Sequence, residues 1–233
     1  MSAFFRIHDG LDREGPGDRD SLDRALAGIA PDARVCDAGC GPGADVAGLL
    51  AHVPRGHVHA VDLHPPFVEA VRARFAGDAR VTAEVADFTD LRGPCDLIWS
   101  AGAVYGPGIA AALAGWRQAL APGGRAAFSH LCWSGAVRPA AAAAFWAEEF
   151  PGMGDIADAE AQIAAAGWRI LDRWPLGPGG WEAYCGPLEA RLDALSPGAD
   201  PELAKAIAAH RSEIAVWRAH GDSFAYVVFV VAP

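Results

Sequence analysis

"RVCDAGCGPGADV", Arg34 to Val46, runs a short apolar stretch into an acid and then sets Gly39, Gly41 and Gly43 at alternate positions. A strand, an acid and a glycine-rich turn ahead of a helix make a loop where backbone without Cβ atoms can approach a ligand. Gly39, Gly41 and Ala44 formally satisfy the dinucleotide pattern G-x-G-x-x-[GA], and Asp62 follows Gly39 by 23 residues, about where that pattern wants an acid. Two features oppose a pyrophosphate guest. Asp37 closes the strand two residues before the first glycine, and Pro42 removes a backbone donor from the turn, where a pyrophosphate needs free N–H groups. A ligand with less phosphate-like charge fits better.

Outward from this loop the pattern is regular. Apolar runs at Arg34–Cys36, His57–Val61, Arg80–Ala86, Asp96–Trp99 and Arg125–Leu131 read as buried strands. Stretches of helical period lie between them at about Ala44–His52, Pro66–Phe75 and Ile109–Leu120. Alternating strands and helices predict an α/β, Rossmann-like, doubly wound sheet, mostly parallel, with ligands beyond the carboxyl ends of its strands. Asp37, Asp62 and Asp87 recur at intervals of 25, each after a strand, as successive units of one sheet require. Ahead of the core, "DRDSLDRALAGIA" (18–30) reads as an amphipathic helix capped by Ser21 or Asp20. After it, "RPAAAAAFWAEEF" (138–150) and "DAEAQIAAAG" (158–167) read as helices, "WRILDRWPL" (168–176) as a strand, 181–220 as two helices and "SFAYVVFVV" (223–231) as a strand. The roughly fifty residues between the last two strands are too many for a hairpin and read as a helical insertion that caps the site.

At 233 residues the chain suits one large α/β domain. Its net charge of −10 and 19 scattered basic residues oppose a nucleic-acid surface. No apolar run reaches the roughly 18 residues of a membrane span, and "MSAFFRIHDG" lacks a signal-peptide pattern, so a soluble, cytoplasmic protein is expected. Cys36, Cys40, Cys95, Cys132 and Cys185 form no C-x-x-C pair; they read as reduced, mostly buried thiols, with no metal site expected.

Four motifs then stand in order: "VCDAGCGPG" (35–43), "HAVDLHPPFVEAV" (59–71), "AEVADF" (83–88) and "APGGRAAF" (121–128). Together they resemble the class I S-adenosylmethionine-dependent methyltransferases, over about Arg34 to Leu131. The resemblance implies S-adenosylmethionine as cofactor and a seven-stranded sheet, with Trp168–Trp174 the sixth strand and the terminal "DSFAYVVFVV" an antiparallel seventh. It implies a methyltransferase domain over 33–233 with helical cap segments at about 134–166 and 177–221, and a loop and helix over 1–32 that close on the site. Further stretches, "FWAEEFPGM" (145–153) and "GWEAYCGPLEARLDAL" (180–195), resemble a small-molecule subgroup. A small-molecule methyl acceptor is expected, with the chain a monomer or homodimer.

The resemblance assigns roles residue by residue. Gly39, Cys40, Gly41 and Gly43 form the loop around the methionine part of the ligand, with Asp37 orienting the loop or the amine. Asp62 takes the ribose hydroxyls, a charge-assisted contact, and Leu63 lies against adenine. Asp87 accepts the adenine amino group while Phe88 flanks the ring. Ser100 and Ala101, with Gly102, face the sulfonium; the subgroup has an acid where Ala101 stands. Candidate bases are His130, preferred because it follows the fifth strand's apolar run, and Tyr105, then His8 and Tyr184. Trp133, Trp146, Trp174 and Trp181 read either as cap core or as a pocket for an apolar or cationic acceptor. Two other functions compete: an NAD-dependent oxidoreductase on the same fold, opposed by Asp37, Pro42 and the Asp87–Phe88 pair, and a non-catalytic S-adenosylmethionine-binding protein.

Overall fold

β-branched and apolar residues at Arg34–Ala38 (β1), His57–Asp62 (β2), Val81–Val85 (β3), Cys95–Ser100 (β4), Leu120–Trp133 (β5), Arg169–Pro175 (β6) and Phe224–Ala232 (β7) assemble in a computed structural model into one sheet of order β3-β2-β1-β4-β5-β7-β6. The structure describes residues 2–233; Met1, which opens the expected 1–32 segment, lies outside the described residues. Strands β1 to β5 pair in parallel, and β7 runs antiparallel to both neighbours, β5 and β6. The antiparallel strand is therefore internal. The chain leaves β1 in opposite directions across the sheet, toward β2 on one side and β4 on the other, so the crevice above β1 is the switch point where such sheets hold ligands.

Nine helices accompany the sheet among the described residues: Ala3–His8 (α1), Arg19–Ala25 (α2), Val46–His52 (α3), Pro65–Arg74 (α4), Ile109–Ala119 (α5), Ala140–Glu149 (α6), Ile156–Ala165 (α7), Pro178–Leu195 (α8) and Pro201–His220 (α9). None is long and apolar enough to cross a membrane. One face of the sheet buries Leu22, Leu26, Leu49 and Val71 from α2, α3 and α4. The other buries Leu113 and Trp116 of α5 with Ala159 and Ile163 of α7. A third core joins Ile7 of α1, Trp146 of α6, Leu188 and Leu192 of α8 and Ile207 and Ile214 of α9 to Leu131, Trp133 and Phe224 at the strand ends. These cores divide the expected cap span 134–166: α6 joins the third core, whereas the apolar face of α7 lies on the sheet.

Two local expectations change. The cap of α2 is Asp18, whose carboxylate accepts the Ser21 N–H at 2.7 Å, rather than Ser21 or Asp20. Asp18 wins because its backbone is extended, as an N-cap requires, while residues 19 onward are already helical. The tryptophans also part company: Trp133 and Trp181 pack around Phe224, but Trp174 lies in the core beneath α2 and α3, donating to Ser21 Oγ at 3.0 Å under the Arg24 guanidinium. A helix over 3–8 carries no sequence expectation, being too short to show a period.

Candidate functional site

Loops beyond the carboxyl ends of β1, β2 and β4 open into a cavity of about 710 Å³, within the usual size of small-ligand sites. On its sheet side it is lined by Asp37, Gly39, Cys40, Gly41, Asp62, Leu63, Asp87, Phe88, Ala101 and Tyr105. The first loop is folded by its glycines: Gly39, Gly41 and Gly43 have φ of +76°, +51° and +89°, conformations that a Cβ makes costly. Crowding adds to this, since a Cβ on Gly39 would fall 2.4 Å from the Ala103 Cβ, and one on Gly43 would fall 2.8 Å from Val71 Cγ2. Gly43 thus departs from its expected role. It packs on α4 and does not line the cavity.

Asp62 locks this loop to β2. Its Oδ2 accepts the Gly41 N–H and its Oδ1 the His64 N–H, each at 2.9 Å, so the carboxylate is held by backbone and points its remaining lone pairs at the cavity wall. Asp37 is only 3 % exposed and its Oδ2 has no hydrogen-bond partner among the described residues. Burial, then the nearby Asp45 and Asp62 carboxylates, hold its carboxyl well above the usual range, with Arg13 opposing. Arg13 itself is pinned to Asp45 at 2.6 Å, and Asp45 also accepts Trp99 Nε1 at 2.8 Å. An orphaned buried acid facing a cavity is completed by a cationic group. Asp87 is exposed at the rim; its Oδ1 accepts Thr89 Oγ1 and N–H, bonds that hold its pKa down. Phe88 belongs to core and cavity wall at once, its carbonyl accepting Trp116 Nε1 at 2.8 Å.

Two expected residues face elsewhere. Ser100 is fully buried and its hydroxyl donates to the Ala38 carbonyl at 2.7 Å, so it ties β4 to β1; Ala101 and Gly102 take the cavity wall instead. His130 is 7 % exposed, does not line the cavity, and packs edge-on against Phe150, their ring centroids 5.7 Å apart. Strand alternation is the reason: Leu131 reaches the cavity, which turns His130 to the other face of β5. Burial pushes the His130 imidazole down to about 4, so it is neutral at ordinary pH. Tyr105, 58 % exposed at the mouth, does line the cavity, as do His8 and Tyr184.

Residues that periodicity did not single out complete the far side: Glu14, Glu149, His210, Glu213 and Tyr226. They come from the N-terminal loop, α6, α9 and β7, and only the fold brings them together. His8 and His210 meet Nε2 to Nε2 at 3.0 Å, and His8 Nδ1 lies 2.6 Å from Glu14 Oε2 without hydrogen-bond alignment. The described His, Cys, Asp and Glu side chains form no group of three placed to hold a metal ion.

Strand order, internal antiparallel β7 and a glycine loop over β1 define the class I S-adenosylmethionine-dependent methyltransferase fold. Comparison with known proteins agrees. Residues 35–124 match the model of the methyltransferase domain family. A trans-aconitate 2-methyltransferase of Methylobacterium nodulans is 34 % identical over 96 residues, which is 41 % of this chain and only 37 % of that protein's length. The fold resembles an S-adenosylmethionine-dependent methyltransferase from Geobacter sulfurreducens, solved with S-adenosyl-L-homocysteine, with TM-score 0.81 and 20 % identity over 99 % of this chain and 97 % of that one. A methyltransferase from Thiobacillus denitrificans, also solved with S-adenosyl-L-homocysteine, gives 0.80 and 20 % over 100 % and 99 %.

Proposed function

We propose that this chain transfers a methyl group from S-adenosylmethionine to a small-molecule acceptor by in-line displacement. The observation that carries the reading is the convergence of Asp37, Gly39–Gly41, Asp62, Leu63, Asp87 and Phe88 on one wall of a single cavity, with Asp37 Oδ2 unpartnered. S-adenosylmethionine bound there supplies a sulfonium, already an activated methyl donor. The chain's own part is placement. Asp37 meets the cofactor's ammonium, Asp62 accepts from the ribose hydroxyls, and Leu63 and Phe88 flank the adenine with Asp87 at its edge. Ala101 and Gly102 leave room beside the reacting carbon, and the third core holds the acceptor in line while excluding water.

Proton transfer, where the acceptor needs it, falls to groups that line the cavity. Tyr105 does so and His130 does not. The cavity's acid-rich wall and Pro42 beside the loop disfavour a pyrophosphate, which sets this reading against nicotinamide chemistry. Calorimetric titration of the full chain tests it: S-adenosylhomocysteine binds and NADH does not, and a panel of acceptors yields S-adenosylhomocysteine with at least one of them. Binding of NADH without S-adenosylhomocysteine overturns the assignment; cofactor binding with no turnover on any acceptor favours a non-catalytic binding protein.

A further inference from the structure

The half of the cavity beneath α1, α6, α8 and α9 has a distinct charge. Glu14, Glu149 and Glu213 line it, while the lining holds no lysine among the described residues and one arginine, Arg13, already fixed to Asp45. The two histidines can bring one positive charge between them, not two. Two imidazolium rings would aim donors at each other across the 3.0 Å His8–His210 contact, and burial, then His8, lowers the His210 pKa. Glu213 shows the imbalance from the other side: burial and Glu149 raise its carboxyl to about 7, opposed only by His8.

The walls between these acids are aromatic and incompletely bonded. Tyr184 and Trp146 are each 6 % exposed and line the cavity. The Trp146 Nε1–H has no hydrogen-bond partner among the described residues. Tyr226, Phe145 and Phe150 continue the wall. Three carboxylates that converge on one chamber with a single imidazole, His8, against Glu14, beside aromatic faces and an unpaired indole N–H, are complementary to a positively charged group carried on an apolar body.

We propose that this chamber takes an organic amine as acceptor, its nitrogen among Glu213, Glu149 and Glu14 and its apolar body against Trp146, Tyr184 and Tyr226: a carboxylate of that cluster takes the ammonium proton, the freed lone pair bonds the methyl carbon, and the methyl–sulfur bond pair leaves with S-adenosylhomocysteine. A di- or tricarboxylate is a poor guest, because each of its charges would meet three carboxylates and no unpaired cation. The proposal rests on the methyltransferase reading, since the same cavity holds the cofactor loop.

Titration of the full chain with probes of matched shape and opposite charge tests it. The probes are phenethylamine and phenethyltrimethylammonium against 3-phenylpropionate, with trans-aconitate as a tricarboxylate, each with and without S-adenosylhomocysteine. The two cations are expected to bind at least about tenfold more tightly than either carboxylate. Glu213→Gln should weaken them by a further factor of about ten while leaving S-adenosylhomocysteine binding within about twofold; Glu149→Gln repeats the test should the first variant fail to fold. Carboxylates binding as well as the cations, or cations indifferent to both variants, overturn the proposal. The outcomes separate from those of the cofactor reading: a chain that binds S-adenosylhomocysteine without preferring cations refutes the amine chamber alone. One that prefers cations but never binds S-adenosylhomocysteine refutes the cofactor alone.

Discussion

Removing the Asp62 carboxylate is the sharpest perturbation of the cofactor site, because one side chain performs two separable tasks. In the free protein it accepts the Gly41 and His64 N–H groups at 2.9 Å each. Asp62→Ala leaves both amides without that partner, at about 1–3 kcal/mol for each amide that water cannot reach. In the proposed binding mode the same change deletes the acceptor for the ribose hydroxyls, a hydrogen bond to a charged group of about 1.5–3 kcal/mol, which is roughly ten- to hundredfold in affinity. Urea unfolding measures the first effect and titration with S-adenosylhomocysteine the second. Asp62→Asn keeps an acceptor for only one of the two amides, its NH2 facing the other, so it should be destabilised as well while also losing an acceptor for the ribose. Folded Asp62→Ala protein with an S-adenosylhomocysteine affinity within about twofold of the parent would refute the ribose role.

Gly39→Ala should abolish cofactor binding or folding and Gly43→Ala should lower Tm, each by about 1–3 kcal/mol of backbone strain plus the clash with Ala103 or Val71; an unchanged Tm for Gly43→Ala counts against the close packing on α4. Asp37, raised by burial, titrates above the ordinary carboxyl range, so the free protein loses stability as pH rises through that elevated pKa. Binding a cationic ammonium favours its ionised form, so S-adenosylhomocysteine binding below that pKa should release protons, detected by calorimetry in buffers of different ionisation enthalpy; Asp37→Asn should abolish the release. For His130 the sign is opposite. Its folded pKa near 4 lies below the ordinary 6.5, so stability is intact above 6.5 and falls as pH drops from there through 4, by about 2 kcal/mol at pH 4.5. His130→Gln should flatten this acid limb of urea unfolding while leaving the pH dependence of activity near neutrality unaltered.

The sheet was legible because its inner strands are buried on both faces and write themselves as apolar runs; Asp37, Asp62 and Asp87 mark the exits of β1, β2 and β3. The cavity wall followed, since the motif that makes the turn, with Asp37, Gly39, Cys40 and Gly41, also lines the cavity. Ser100 and His130 were misplaced for one reason: position after a strand gives depth in the crevice, while the direction of the side chain depends on pleat and neighbours, here Ala38 and Phe150. The acceptor chamber was nearly invisible. Glu149, His210 and Glu213 lie on α6 and α9, helices whose apolar residues form no sharp stripe, so nothing in the period distinguishes an inward acid from a solvated one. Glu14 and Tyr226 are 212 positions apart in the chain and share a wall only through the fold.

The place of β7 gives assembly an order. It is the last of the seven strands in the chain, yet it is hydrogen-bonded to β5 on one side and is the partner strand of β6 on the other. Until Phe224–Ala232 docks, β6 has no seat in the sheet, and α8 and α9, strung between β6 and β7, have one loose end. The loop at Asp37–Gly43, by contrast, draws its contacts from Glu14, β2, α4, Phe88 and Ala103, all of which precede β5 in the chain. A chain stopped before residue 224 therefore lacks both the partner strand of β6 and the Tyr226 wall of the cavity, so both would be lost together.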